Sequence, residues 1–123
     1  MKVTVRITNN FRSDIKPLLK KYHSLSKDII KLETELIQNP HLGTPLGKEA
    51  FKIRLKITSK GKGKSGGARV ITLVESSVIA ITEQTSPQEI TVNLLSIYDK
   101  SDISNISDKE LKDLIKSFYD QSK

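Results

Sequence analysis

The chain has no cysteine and no tryptophan, one methionine, and only three phenylalanines and three tyrosines in 123 residues. Without cysteine there is no disulfide framework and no thiol chemistry, which fits a reducing, cytoplasmic setting. His23 and His41 are the only histidines. They stand in separate segments, too few and too dispersed for a zinc site, so no metal and no other cofactor is expected. No apolar run approaches the roughly 18 residues of a membrane span, and the amino terminus alternates where a signal peptide would carry an apolar core. The expectation is a soluble, unprocessed chain with no membrane association, folded as a single domain over residues 1–123 around one modest core.

What the chain does have is basic charge in one place. Between Lys48 and Arg69 stand eight basic residues and one acid, a local net charge equal to the +7 of the whole chain. Lysine and arginine balance aspartate and glutamate everywhere else. A positive field confined in this way implies a polyanionic partner. Inside the stretch Phe51, Ile53, Leu55 and Ile57 alternate with Lys52, Arg54, Lys56 and Thr58. As a half-buried strand this pattern puts the apolar side chains on the core and the three cations in a row on the other face, about 7 Å apart, a spacing suited to consecutive phosphates. Lys48, Lys60, Lys62 and Lys64 extend the candidate phosphate-binding set. Residues 68–74 read as a second strand, and a hairpin between the two brings Arg69 beside the row.

The other elements follow from periodicity. Val3, Val5 and Ile7 alternate with polar residues as a strand that ends at Asn9-Asn10. Phe11, Ile15, Leu18, Leu19 and Tyr22 recur at helical spacing, and Pro17 predicts that this helix begins near Ser13 or Asp14. Leu25, Ile29, Leu32 and Leu36 mark the clearest helix, which stops at Asn39-Pro40. Residues 41–47, HLGTPLG, are too rich in glycine and proline for a regular element. Residues 75–89 are left open, with a turn at Thr85-Ser86-Pro87. Residues 90–98 form an inner strand, and the capping box Ser107-Asp108-Lys109-Glu110 starts a final helix carrying Leu111, Leu114, Ile115 and Phe118. The order is strand, two helices, three strands, helix. Short links between consecutive strands favour antiparallel pairing, so the class is α+β.

Residues 61–66, GKGKSG, satisfy GxGxxG, and Gly63-Lys64-Ser65 resembles the end of a P-loop. Both motifs need a following helix where ARVITLV is strand-like, and the P-loop also needs a glycine where Thr58 stands. A kinase-type glycine loop lies between strands, but the rest of a kinase does not fit in 123 residues. The run is therefore either a solvated loop or a loop that grips phosphates beside the cationic strand.

Taken together, Gly47 followed by FKIRL, then GKSGGARVI at 63–71 and LLSIYDKSD at 94–102, resemble the RelE/ParE superfamily of toxin–antitoxin toxins, most nearly its RelE/HigB-like ribonuclease branch. KKYHSL, DII and NPHLGTPLG stand in the expected order before them, so the resemblance spans almost the whole chain. It implies two amino-terminal helices packed on a small antiparallel sheet with a carboxy-terminal helix. It also implies a toxin of a type II system acting as a metal-independent endoribonuclease that cuts messenger RNA in the ribosomal A site. In that reaction a 2′-hydroxyl attacks the adjacent phosphate, so the protein removes one proton, balances charge on a phosphorane and protonates the leaving oxygen.

By that resemblance Lys52 and Arg54 match the two catalytic cations, and Arg69 matches the arginine that clamps the scissile phosphate. Lys100 stands where a basic residue meets the leaving group, and Tyr98 either stacks on a base or belongs to the core. The sequence departs from the family where a substrate-orienting tyrosine is expected, since residues 103–106 offer none. The implied partners are the ribosome with its message and a cognate antitoxin, which covers Lys52, Arg54 and Arg69 or displaces the final helix. The alternatives from another class are a gyrase inhibitor of the ParE kind, without enzymatic activity, and a basic RNA-binding module.

Overall fold

A computed structural model describes residues 2–60, 67–78, 88–100 and 106–121. The expectations for the glycine run with Lys62 and Lys64, and for the turn at 85–87, lie outside the described residues. In chain order the elements are β1 (Lys2–Ile7), α1 (Asn9–Lys21), α2 (Leu25–Gln38), β2 (Thr44–Gly47), β3 (Ala50–Leu55), a 3-10 turn (Thr58–Lys60), β4 (Ala68–Val78), β5 (Gln88–Asp99) and α3 (Asp108–Gln121). The architecture is α+β, with the two amino-terminal helices packed against a small five-stranded sheet and a third helix after it.

The sheet order is β1-β5-β4-β3-β2. β2 through β5 form an antiparallel run, as short links dictate. β1 lies parallel to β5, from Lys2 opposite Glu89 to Ile7 opposite Leu94, so the sheet is mixed. The short-link rule does not reach β1, because a helical hairpin follows it and carries the chain away before the next strand.

Period two divides the core. Phe51, Ile53 and Leu55 of β3, with Val70 and Val74 of β4 and Val92 and Leu94 of β5, face α1 and α2, where Phe11, Leu25, Leu32 and Leu36 close the layer. Ala50, Ile71, Leu73, Leu95 and Tyr98 face the other way and are covered by Leu111 and Ile115 of α3. The capping box forms as expected: the Glu110 amide donates to Ser107 Oγ at 3.1 Å and the Ser107 amide donates to Glu110 Oε1 at 3.2 Å.

Two expectations are corrected. α1 starts at Asn9, four or five residues before the Ser13 or Asp14 of the proline argument, and keeps Pro17 in its interior. Thr8 sets the start. Its Oγ1 accepts from the Phe11 amide at 3.2 Å and donates to the Leu94 carbonyl at 2.8 Å, which nails the helix entrance to β5. Pro17 is exposed, and so is Ser13, whose carbonyl loses its helical donor and faces water instead. The second correction is β2, a strand inside HLGTPLG. Gly43 allows it with φ +107°, since a Cβ there would lie 2.6 Å from the Lys52 carbonyl oxygen. Pro45 sits on a sheet edge, where no outward donor is needed.

The β2–β3 turn carries non-glycine residues in left-handed conformations, Lys48 at φ 57° and Glu49 at φ 64°. Two such residues in succession suit a type I′ hairpin, which favours Asn-Gly. Glu49→Gly is expected to stabilise the fold by about 0.5–1 kcal/mol, because relief of left-handed strain exceeds the added freedom of the unfolded chain. Thermal unfolding checks it: a rise of a few degrees is expected, and a fall contradicts the strain argument.

Candidate phosphate-binding site

The site lies on the sheet face that α3 partly covers. On β3 the cations alternate with core residues, so Lys52 and Arg54 share the face of Ala50. The register then sets Arg54 opposite Arg69 and Arg69 opposite Tyr98. A row Arg54–Arg69–Tyr98 therefore crosses three adjacent strands, each about 4.8 Å from the next. Lys52 occupies the neighbouring row, opposite Ile71. Lys56, just past the end of β3, is exposed like Arg54. The hairpin thus brings Arg69 to the cationic row as the sequence predicts.

Burial separates the members of this group. Arg54 is exposed, whereas Arg69 retains 4% exposure and Tyr98 9%. One guanidinium nitrogen of Arg69 donates to the Ala68 carbonyl at 3.1 Å. Burial first, and the Arg54 charge second, pull the Arg69 guanidinium below its ordinary value, with Tyr98 opposing. Burial raises the Tyr98 phenol and Glu110 adds to it, against the Arg69 charge and the Ile106 backbone. Tyr98 packs with Leu111 and Ile115. It is thus the core residue of the two alternatives, and its ring is not presented for base stacking.

Among the described residues, the other sequence candidates Lys48, Lys60 and Lys100 do not join the row. Lys48 stands in the hairpin turn at the opposite end of β3. Lys100 is exposed after β5, where its amide donates to the Gly67 carbonyl at 3.1 Å. Lys60 points elsewhere and is neutralised: its Nζ lies 2.8 Å from Asp99 Oδ1, with only 9% of the Lys60 side chain and none of the Asp99 side chain exposed. Desolvation lowers the Lys60 ammonium, but the hydrogen bond and charge of Asp99 outweigh it, and the net shift is upward. A lysine committed to a buried carboxylate adds little field at the surface, so its place in the phosphate-binding set is withdrawn.

Sequence reasoning missed two carboxylates. Asp99 accepts from the Tyr22 hydroxyl at 2.5 Å as well as from Lys60, and Lys21 approaches it at 3.7 Å. The polarity of aspartate at the end of an apolar strand is the one signal that marks it in advance. Asp28 ties α2 to the segment after β3, accepting from Thr58 Oγ1 at 2.6 Å, the Thr58 amide at 3.0 Å and Ser24 Oγ at 2.8 Å.

Burial raises the Asp28 carboxyl, but these donors and Lys31 prevail and hold it below its ordinary value. A carboxyl lowered in the folded state stabilises above its unfolded value and loses that contribution as pH falls through the folded one. Asp28→Asn is expected to cost about 1–2 kcal/mol at neutral pH, from lost charge-assisted hydrogen bonds. The gap from the parent should close as pH falls below about 4. Urea unfolding across pH checks this, and a gap independent of pH contradicts it.

Among the described residues, no group of three or more His, Cys, Asp or Glu side chains is placed to hold a metal ion, and no helix is long and apolar enough to cross a membrane. No protein-family model, no curated protein and no solved structure matches the chain.

Proposed function

We propose that the chain is a RelE-like toxin that cleaves messenger RNA on the ribosome without a metal, its sheet face supplying the charge that the transition state needs. The observation that carries this reading is the Arg54–Arg69–Tyr98 register with Lys52 beside it. The motifs FKIRL, GKSGGARVI and LLSIYDKSD support it by placing the same cations at the positions the family uses.

In the proposed reaction the 2′-hydroxyl attacks the neighbouring phosphate and the 5′-oxygen leaves, giving a 2′,3′-cyclic phosphate end. Arg54, exposed, is the donor a phosphate meets first. Arg69 lies beside it on the adjacent strand in a desolvated setting, where a fixed cation stabilises developing phosphorane charge more strongly than an exposed one does. Lys52 and Lys100 are the proton-transfer candidates on the two sides. The cognate antitoxin is the partner that keeps such an enzyme from arresting its own host.

The first test is binding. Lys52, Arg54, Lys56 and Arg69 together offer about four phosphate contacts, which for single-stranded RNA gives a slope of log K against log salt near about −3. Affinity for a short RNA measured across a salt series checks it, and a flat response contradicts the phosphate grip. The gyrase-inhibitor alternative is separated by its products, broken DNA with intact message.

A further inference from the structure

β5 does not keep one register along β4. From Val78 opposite Gln88 to Thr72 opposite Leu94 the pairing is regular, then Leu95 is passed over and Ile71 stands opposite Ser96. Such a bulge re-aims every side chain after it. Had the first register continued, Arg69 would oppose Ile97 and Tyr98 would turn to the helix side of the sheet, because a slip of one residue exchanges the faces. The Arg54–Arg69–Tyr98 row therefore exists only in the bulged register.

Two clamps from α1 hold that register. One is at the bulge, where the Asn10 side-chain amide donates to the Leu95 carbonyl at 2.8 Å and Ser96 Oγ donates to Asp14 Oδ2 at 2.7 Å. The other is at the strand end, where Tyr22, the residue that closes α1, donates its hydroxyl to Asp99 Oδ2 at 2.5 Å. Lys60 holds the second carboxylate oxygen at 2.8 Å, and the Lys60 and Lys21 ammonium groups lie 5.5 and 5.3 Å from the centre of the Tyr22 ring. Replacing a buried ion pair by apolar residues of like volume is often neutral or stabilising, so stability does not account for the charges of this second clamp. What they add is direction. In the unbulged register Asp99 would point to the α3 side, away from Tyr22 and Lys60.

We infer that Asp99 is a positioning residue for RNA cleavage: held by Tyr22 and Lys60, it pins the register that sets Tyr98 opposite Arg69 and delivers Lys100, whose amide meets the Gly67 carbonyl at 3.1 Å. The pin is a property of the fold, and its effect on the reaction rests on the endoribonuclease reading. RNA affinity is left to Lys52, Arg54 and Lys56, on or just past β3, whose pairing with β4 does not pass through the bulge.

The test variant is Asp99→Leu with Lys60→Met in the full chain. By the Lys100–Gly67 bond, Val70 and Ile97 are a non-hydrogen-bonded pair, whose α protons are close enough for a strong nuclear Overhauser contact. The variant should fold and lose most of that contact. On translating ribosomes its kcat should fall about tenfold, as for about one molecule in ten in the bulged register, with KM within about twofold of the parent. Asp99→Asn with Lys60→Met keeps an acceptor for the Tyr22 hydroxyl and should recover both the contact and, to within about threefold, the rate. Tyr22→Phe removes one bond and no charge, and should weaken the contact and lower kcat about threefold.

Contact and rate must fall together. A folded leucine variant in which neither falls, or in which one falls without the other, overturns the proposal, and so does an asparagine variant that recovers neither. If the leucine variant unfolds, Tyr22→Phe decides by the same criterion. The contact is read without RNA, so its loss in the variant, beside a parent that cleaves no message, retains the register pin and removes only the enzyme reading.

Discussion

Arg69→Met is expected to abolish growth arrest and lower message cleavage by roughly a hundredfold while the protein stays folded. Losing one preorganised donor to developing phosphate charge costs about 3 kcal/mol of transition-state stabilisation. Methionine is chosen because Arg69 is buried between Arg54 and Tyr98, so alanine would also open a cavity. Removing the charge also ends the repulsion that Arg54 exerts on it, which offsets part of the lost packing. Arg69→Lys should recover only part of the activity, since an ammonium lacks the forked geometry. Growth after induction, cleavage on translating ribosomes and thermal unfolding are read together. A folded and fully toxic Arg69→Met, or one inactive only because it unfolds, makes Arg69 structural.

Asp99→Ala is expected to destabilise the fold by about 3–5 kcal/mol, the largest effect of any single substitution considered. The variant leaves the Lys60 ammonium desolvated with its nearest counter-charge gone and strips the Tyr22 hydroxyl of its acceptor. At about 4 °C per kcal/mol, the melting temperature should fall by more than about 10 °C. The double variant Asp99→Leu with Lys60→Met should be far less damaged than Asp99→Ala, because removing both charges removes the desolvation cost as well. Thermal unfolding of the three proteins checks the account, and an Asp99→Ala within a degree or two of the parent contradicts it.

Periodicity carried most of the fold because burial on one side repeats every second residue in a strand and every third or fourth in a helix. The alternation of residues 51–57, the stripe from Leu25 to Leu36 and the capping box at Ser107 all have structural counterparts. What escaped depends on contacts between segments distant in sequence. β2 exists because Gly43 passes close over the Lys52 carbonyl, and α1 starts early because Thr8 is anchored to the Leu94 carbonyl 86 residues away. The candidate site divides along the same line. Pairing of Arg54 with Arg69 followed from a hairpin, a local feature. The burial of Arg69 and Tyr98 on the face that α3 covers, and the capture of Lys60 by Asp99, are tertiary events that no local pattern encodes.

The central claim is tested most directly by mapping message ends on translating ribosomes with purified protein in the presence of a chelator, comparing the parent with Arg54→Ala and Arg69→Met. The account predicts breaks within the A-site codon that carry 2′,3′-cyclic phosphates, undiminished by the chelator and lost about a hundredfold in both variants. Intact message with the parent protein, or breaks that persist equally in both variants, would contradict it.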